Sequence, residues 1–443
     1  MTDLDAPNGD QTTIVSFDGT QSVQTRLSRP DRYRHLFTAL SAPTVISRGK
    51  GLTYCLASAA NQGLTVSSDR FNRLLGFDEN SNTIRVEPGV DMGTLLEFAS
   101  SRNLLPPVLP GYPRITVGGA VAMNIHGKNQ LHAGNFGDHI RSLMIYHPDR
   151  GEIRCSPEMN PDIFQLTIGG FGLTGHITSV ELSLKRSPGN NILVRRHAVR
   201  NLVESVELME RIASGAEYLY SWHDLNLRGK DFGKGTVYSE CHCEGRRGYT
   251  NRAGKFRVPL PWPAQNRLTI PLICKLYQAK ERRAPRTQIV QLGPAFFPFA
   301  GKELFFRLYG RAGFREYQAL LPREGWESSS KQIAKAISDS AVPITFGSLK
   351  LFRGQRRMLN FSGDGVCVAL DTPNLPATHD LFSQLDEITI DSGGIANLAK
   401  DGRLSAVAVR RMYGRYYDEF RDAIQRYDSR NRFVSELRRR IDV

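Results

Sequence analysis

The chain has 443 residues, enough for two domains with substantial cores, and its 40% hydrophobic and 9% aromatic content is that of a globular protein rather than a disordered one. A net charge of +14 directs attention to anions: nucleic acid, anionic lipid or a phosphorylated substrate. No repeat interleaves basic with aromatic residues, which sets nucleic acid aside, and no run is apolar for the length of a membrane span.

Residues 1–13, MTDLDAPNGDQTT, are acidic and polar, the opposite of a signal peptide, and are expected to be a flexible lead on a soluble or peripheral protein. Pro30 and Asp31 then open the amphipathic run YRHLFTAL, a first helix. Strand-like segments TVIS, GLTVS and NTIRVEPGV follow, and MGTLLEFASSRN reads as a helix with Leu95, Leu96 and Phe98 inward. Ser142 to His147 is another strand, and Asp162 to Gln165 begin a short helix. Near Pro188 the texture changes. LVESVELMERI carries Leu202, Val203, Val206 and Met209 at helical spacing, and long strands with the Pro-rich turn VPLPWPAQ come later.

From Glu316 the pattern reads strand EYQALLP, helix SSSKQIAKAIS, strand ITFGSLKLF, strand GVCVALD, helix HDLFSQLDEI, strand GGIANLA. That order is a β-α-β-β-α-β unit, taken here as part of a substrate-binding cap. The segment Leu404 to Arg440 is basic and helical, and Arg438, Arg439 and Arg440 would complement the dipole of a last helical turn.

The six cysteines, Cys55, Cys155, Cys241, Cys243, Cys274 and Cys367, are too scattered for a disulfide framework. Cys241-His242-Cys243 lies in a strand-like run without a second ligand pair nearby, so no metal is expected.

Two glycine turns carry the chemistry. The apolar run Pro43 to Ile46 feeds into Ser47-Arg48-Gly49-Lys50-Gly51-Leu52-Thr53-Tyr54. Later, PGYPRITVGGAVAMNIHGKNQLHAGNFG has too many glycines for a helix, and Gly118, Gly119, Ala120 and Ala122 leave room for a rigid ligand beside the main chain. Amides in such turns suit a diphosphate, while His126 and Lys128 just beyond suit an electron-rich ring or an anion. Neither turn has the glycine spacing of a Rossmann fingerprint or the ending of a Walker loop. Taken alone, the second stretch has a lesser alternative, a tight turn between strands with a solvated Lys128. The run Ile168 to Ile177, IGGFGLTGHI, is read as a third wall.

Together these motifs, with PVLPGYPRITVGGAVAMNIHGKN, GGFGLTGHIT and YDSRNRFVSELRRR, resemble the vanillyl-alcohol oxidase/PCMH-type FAD-binding superfamily, and within it the decaprenylphosphoryl-ribose 2'-oxidases, from about Phe17 to the C-terminus. The resemblance implies an α+β fold: a two-lobed FAD-binding domain over residues 14–188, a mainly antiparallel substrate cap over 189–394, and a segment, 395–443, returning to the FAD domain. It implies FAD held by Ser47, Arg48, Gly49, Lys50, Gly51, Leu52, Thr53 and Tyr54, by Gly111, Thr116, Val117, Gly118 and Gly119, and by Met123, Asn124, Ile125, His126 and Ile177. Leucine at position 52, where tethered relatives often carry histidine, implies non-covalent FAD.

The substrate side implied is His126, Lys128, Gln318, Lys350, Cys367 and Lys400. Lys350 and Lys400 suit a phosphorylated sugar, and Cys367 is either a pocket residue or a small buried hydrophobe. Lys400, with a pKa lowered by desolvation and Lys350, is the expected general base; Tyr54 is the alternative base or a relay, and His126 would orient the sugar. Three positions depart from the pattern: Cys55-Leu56 for Gly-Asp, Asn397 for a flavin-contacting tyrosine, and Glu316 for glutamine.

The activity implied is oxidation of the 2'-hydroxyl of a polyprenylphosphoryl pentose by hydride transfer to flavin N5, paired with a separate NAD-dependent short-chain reductase, as in the supply of an arabinan precursor for the cell envelope. A free alditol or aldonolactone is the alternative substrate, and a non-catalytic basic scaffold the third reading. The setting implied is cytoplasmic, with the inner membrane face as a peripheral station. There Lys275 to Arg286, KLYQAKERRAPR, is either a lipid-touching entrance or a solvated loop.

Overall fold

In the computed structural model the structure describes residues 9–245, 248–251 and 260–443. Residues 1–8 of the expected lead, and Val258-Pro259 of the Pro-rich turn, lie outside them. Asp10 to Thr13, assigned to that lead, instead form part of strand Asp10–Val15, because Thr12 and Ile14 alternate with polar neighbours and pair in register with Thr25 and Val23.

The first lobe is a four-stranded sheet in the order Asp10–Val15, Ser22–Ser28, Leu64–Ser67, Val45–Arg48. Only its first pair is antiparallel. The helix Tyr33–Leu40 buries Leu36, Ala39 and Leu40 against it, as the spacing predicts. The second lobe is a five-stranded antiparallel sheet: Leu74–Asp78, Thr83–Val86, His176–Ser183, Ile140–His147, Gly151–Cys155. The helix Met92–Ser100 packs on it, capped by Asp91, whose carboxylate accepts from the Thr94 amide at 2.8 Å.

Two further antiparallel sheets follow. One orders Tyr218–His223, Gly235–Cys243, Asn191–Val199 and Thr287–Gln291; the other Phe346–Phe352, Gly365–Pro373, Phe314–Leu321 and Ile395–Ala396. The helices Leu202–Ile212, Trp326–Ser340 and Pro376–Asp391 share one core with these sheets, through Val206, Met209, Ile333, Ile337, Leu381 and Leu385. In the Cys241-His242-Cys243 run, His242 Nε2 lies 3.0 Å from the Tyr218 hydroxyl and Nδ1 3.3 Å from Ser187 Oγ.

The last sheet is stitched to the first loop at several points. Phe314 N donates to Asp18 O at 2.9 Å, and Tyr54 N to Ala399 O at 3.0 Å. Gly313, at φ +74°, lies so close that a Cβ there would meet Asp18 O at 2.1 Å. The C-terminal segment returns likewise: Val45 N donates to Arg432 O, Val434 N to Val45 O, and Glu436 N to Ala59 O. Arg438, Arg439 and Arg440 occupy the last turn of helix Glu436–Ile441, as expected, and two of them also have partners elsewhere in the chain. Arg438 is buried on Asp428, and Arg440 bonds Asp401 O and Leu404 O; only Arg439 stays outside, paired with Glu436.

The basic run Lys275 to Arg286 largely belongs to helix Thr269–Arg283, not to a loop. Ile270 and Cys274 face inward, while Leu268, Leu272 and Leu276, four residues apart, are exposed with Ile273.

Candidate functional site

Strand Val45–Arg48 runs straight into the first glycine turn, where the amides of Gly49, Lys50, Gly51, Leu52 and Thr53 donate to no acceptor among the described residues. Gly51 sits at φ +64°, and a Cβ there would run into the Arg48 guanidinium at 2.0 Å. Successive amides left without an internal acceptor suit an anion. Ser47 Oγ meets His176 Nδ1 at 2.9 Å, and His176 Nε2 is buried without a partner among the described residues. Burial lowers that imidazole's pKa to about 4.

The second glycine turn works differently from the sequence expectation. Val117 N and Gly118 N are spent on Val90 O and Pro88 O, and Gly119 N on Thr116 Oγ1 at 3.3 Å. Gly118 is glycine because a Cβ would press Pro88 Cβ at 2.8 Å. The smallness of this segment therefore lets loop Glu87 to Val90 lie against helix Val117–Ala122 rather than freeing those amides. Gly111 borders open space, and Gly119 meets only Thr116 Oγ1. Asn124 is used internally, its Oδ1 accepting from Gly137 N at 2.9 Å. The Val117 and Ile177 side chains lie in the hydrophobic core, which leaves only their backbone for a ligand, while Met123 and Ile125 are half-buried at its edge.

Across from the turns, the last sheet supplies a floor. Alternation puts Phe314, Glu316, Gln318 and Leu320 on one face, and the register sets Glu316 opposite Asp371, and Cys367 opposite both Leu320 and Lys350. His126 Nε2 reaches Gln318 Oε1 at 3.5 Å, and Asn397 Nδ2 donates to the same oxygen. Asn397 thus ties the floor together instead of extending a ring. Burial, with Lys350 adding to it, pushes the His126 pKa down to about 3, so the imidazole is neutral. Cys367 is a buried thiol, pushed up to about 12 by desolvation, and is a packing residue rather than a nucleophile.

Two expected roles are altered by their neighbours. Lys128 is not free for an anion: its ammonium donates to Ala295 O at 2.7 Å, lies 3.5 Å from Glu240 and sits over the Tyr220 ring. Lys400 is not a lone amine either. Its Nζ is the cation of an ion pair with Glu316 Oε2 at 3.1 Å and rests 3.9 Å from the Tyr54 ring centroid. An ammonium held in such a pair must first give up a proton before it has a lone pair to offer a hydroxyl.

Tyr54, stacked on Phe17 and edge-on to Phe314, is buried; desolvation, then the Glu316 and Asp371 carboxyls, push its phenol well above its ordinary pKa, which makes it a donor. Lys350 differs from both lysines in having no carboxylate partner among the described residues.

Sequence reasoning missed Asp371. Its signal was a charged residue ending the apolar run VCVAL on the face that Glu316 shares; only the register reveals the pair. Cys55 and Leu56 pack in separate apolar clusters, Leu56 with Ile14, Val23 and Ala59.

Residues 39–156 match the family model described as an FAD binding domain. The chain is similar to decaprenylphosphoryl-beta-D-ribose oxidase of Mycolicibacterium smegmatis, at 29% identity over 423 residues, 90% of this chain and 89% of that protein. Shorter likenesses join it to D-lactate dehydrogenase of Anaerostipes hadrus, 30% identical over 28% of this chain and 27% of that one, and to cytokinin dehydrogenase 9 of Oryza sativa, 30% identical over 35% and 30%. The donor set fits FAD: the amides from Gly49 to Thr53, without an internal acceptor among the described residues, suit its diphosphate.

Proposed function

Because the chain is an FAD-dependent oxidoreductase of the vanillyl-alcohol oxidase/PCMH-type superfamily, we propose that it oxidises the 2'-hydroxyl of a polyprenylphosphoryl pentose to the 2'-keto sugar. A separate NAD-dependent short-chain reductase would complete the inversion of that carbon. Bound FAD supplies the two-electron acceptor, taking hydride at N5, and the chain supplies binding, orientation and proton handling. The observation carrying this reading is Lys350, a cation on the floor beside neutral His126 with no internal counter-ion among the described residues. A phosphodiester is the anion it suits.

In this reading the last sheet, with helices Trp326–Ser340 and Pro376–Asp391, is the β-α-β-β-α-β unit of the cap. The units are 14–188 for FAD, 189–394 for the cap and 395–443 for the return. Gln318 and His126 orient the sugar, and Tyr54 and Lys400 donate to its oxygens. The test is anaerobic mixing: the polyprenylphosphoryl pentose should bleach the flavin, and Lys350→Met should raise the substrate concentration required by about 10-fold or more. Bleaching by a free alditol alone would replace this reading with the second one, which the Glu316 charge on the floor favours.

The helix Thr269–Arg283 suits a lipid-linked substrate. Its exposed Leu268, Leu272, Ile273 and Leu276 adjoin Lys275, Lys280, Arg282 and Arg283, and no helix among the described residues is long and apolar enough to cross a membrane. Each basic residue contributes about 1 kcal/mol at an anionic surface. Co-sedimentation with anionic vesicles should weaken when Arg282, Arg283 and Arg286 become alanine; binding unchanged by that substitution or by salt removes the membrane role.

A further inference from the structure

Oxidising an alcohol releases a proton as well as two electrons, and the groups nearest the floor are poorly suited to accept it. Lys400 is the cation of an ion pair, and the Tyr54 phenol is held protonated by burial and by its acidic neighbours. His126 is half-buried, and desolvation, with Lys350 adding to it, lowers its pKa to about 3, which makes it a weak base. What remains is a pair of carboxyls, Glu316 and Asp371, directly opposite each other on adjacent strands. The Glu316 side chain is 10% exposed and reaches Lys400, itself 31% exposed. Asp371 is buried, and its Oδ1 has no hydrogen-bond partner among the described residues.

We infer that Glu316, positioned by Asp371 and Lys400, is the proton acceptor of the oxidation. This rests on the alcohol-oxidation reading above. The O–H bond breaks to the Glu316 carboxylate while the C–H hydrogen leaves with its electron pair to the flavin oxidant, and the C–O bond becomes C=O. Desolvation, followed by the Glu316 carboxylate opposite it, drives Asp371 to its neutral form. Asp371 is therefore the acid behind the base. Protonating Glu316 frees the Lys400 charge, which then offsets the negative charge the electrons bring. The groups facing this pair are Tyr54, Lys400, Tyr309 and Cys367.

The test uses the holoenzyme and a sugar that bleaches the wild-type flavin. Glu316→Gln should keep its FAD content yet reduce its flavin about 100-fold more slowly at saturating sugar, with the acidic limb of the rate profile gone. Independently of turnover, infrared difference spectra at neutral pH should show a protonated buried carboxyl that Asp371→Asn abolishes and Glu316→Gln shifts. Near-wild-type reduction by Glu316→Gln, or a raised substrate requirement with an unchanged limiting rate, overturns the inference and makes Glu316 a tether for Lys400. Absence of the carboxyl band also overturns it. A wild-type flavin that no CH–OH substrate bleaches instead overturns the oxidation reading, and this one with it.

Discussion

Replacing Arg438 with methionine removes one cation from a buried knot that holds the C-terminal segment. Arg438 is 4% exposed, and its guanidinium donates to Val443 O at 2.7 Å, Phe433 O at 2.6 Å, Asn431 Oδ1 at 2.7 Å and Asp428 Oδ2 at 2.9 Å. Asp428 also accepts from the amides of Arg432 and Phe433, at 2.8 and 3.0 Å. Burial alone would raise that carboxyl's pKa, yet hydrogen bonds from His147, the two amides and Arg438 hold it below the ordinary range. Methionine fills similar volume but leaves this carboxylate, 0% exposed, with no guanidinium. Removing one partner of such a pair costs about 3–5 kcal/mol, against at most about 1 kcal/mol for an exposed one. Denaturant unfolding of the holoenzyme reads the difference, with Arg439→Ala, on the 42% exposed partner of Glu436, as the surface control. Adding Asp428→Asn to Arg438→Met should lose less than the two single losses summed, because the orphaned charge is gone. A loss under about 1 kcal/mol for Arg438→Met would refute the assignment of this arginine as a structural hub.

Acid should destabilise the fold before its carboxylates titrate fully. His126, His176 and His223 are held neutral by burial, with pKa values near 3, 4 and 4, so the unfolded chain binds more protons from pH 6.5 downward. Their contribution is intact above pH 6.5 and lost as pH falls through about 4 for His176 and His223, roughly 3 kcal/mol each, and through about 3 for His126; a stability curve flat from pH 7 to 4 would contradict it. Gly51→Ala should lower FAD affinity by about 10-fold, from positive-φ strain of roughly 1 kcal/mol or more together with displacement of Arg48, checked by flavin release on dilution. Acid precipitation should free the yellow chromophore entirely, since Leu52 can form no bond to it; colour kept in a washed pellet would be decisive against this.

What was legible in the sequence was local. The period of YRHLFTAL fixed which face helix Tyr33–Leu40 buries, and the strand feeding Ser47 to Tyr54 marked the loop with open amides. What was not legible depends on partners far along the chain. Lys128 reads as a solvated or ligand-facing cation because Glu240 and Ala295 O are more than a hundred residues away. Lys400 reads as a candidate base until Glu316, on strand Phe314–Leu321, comes within 3.1 Å. Gly118 and Gly119 advertise close approach correctly, but periodicity cannot tell whether a ligand or Pro88 is what approaches.

The stitching of the last sheet to the first loop bears on how this protein can be re-engineered or diversified. Phe314, Gly313 and Ala399 bond or abut the backbone of Asp18 and Tyr54, and Gln318 bridges Asn397 to His126. The floor is therefore not an interchangeable module. Transplanting it from a relative would break main-chain bonds on which the cofactor loop depends, so chimeras cut at 188 and 394 should lose FAD before they change substrate. New specificities are reached more readily by single exchanges in place, at a position such as Lys350, which lies on the floor without a carboxylate partner among the described residues while its strand keeps the same neighbour.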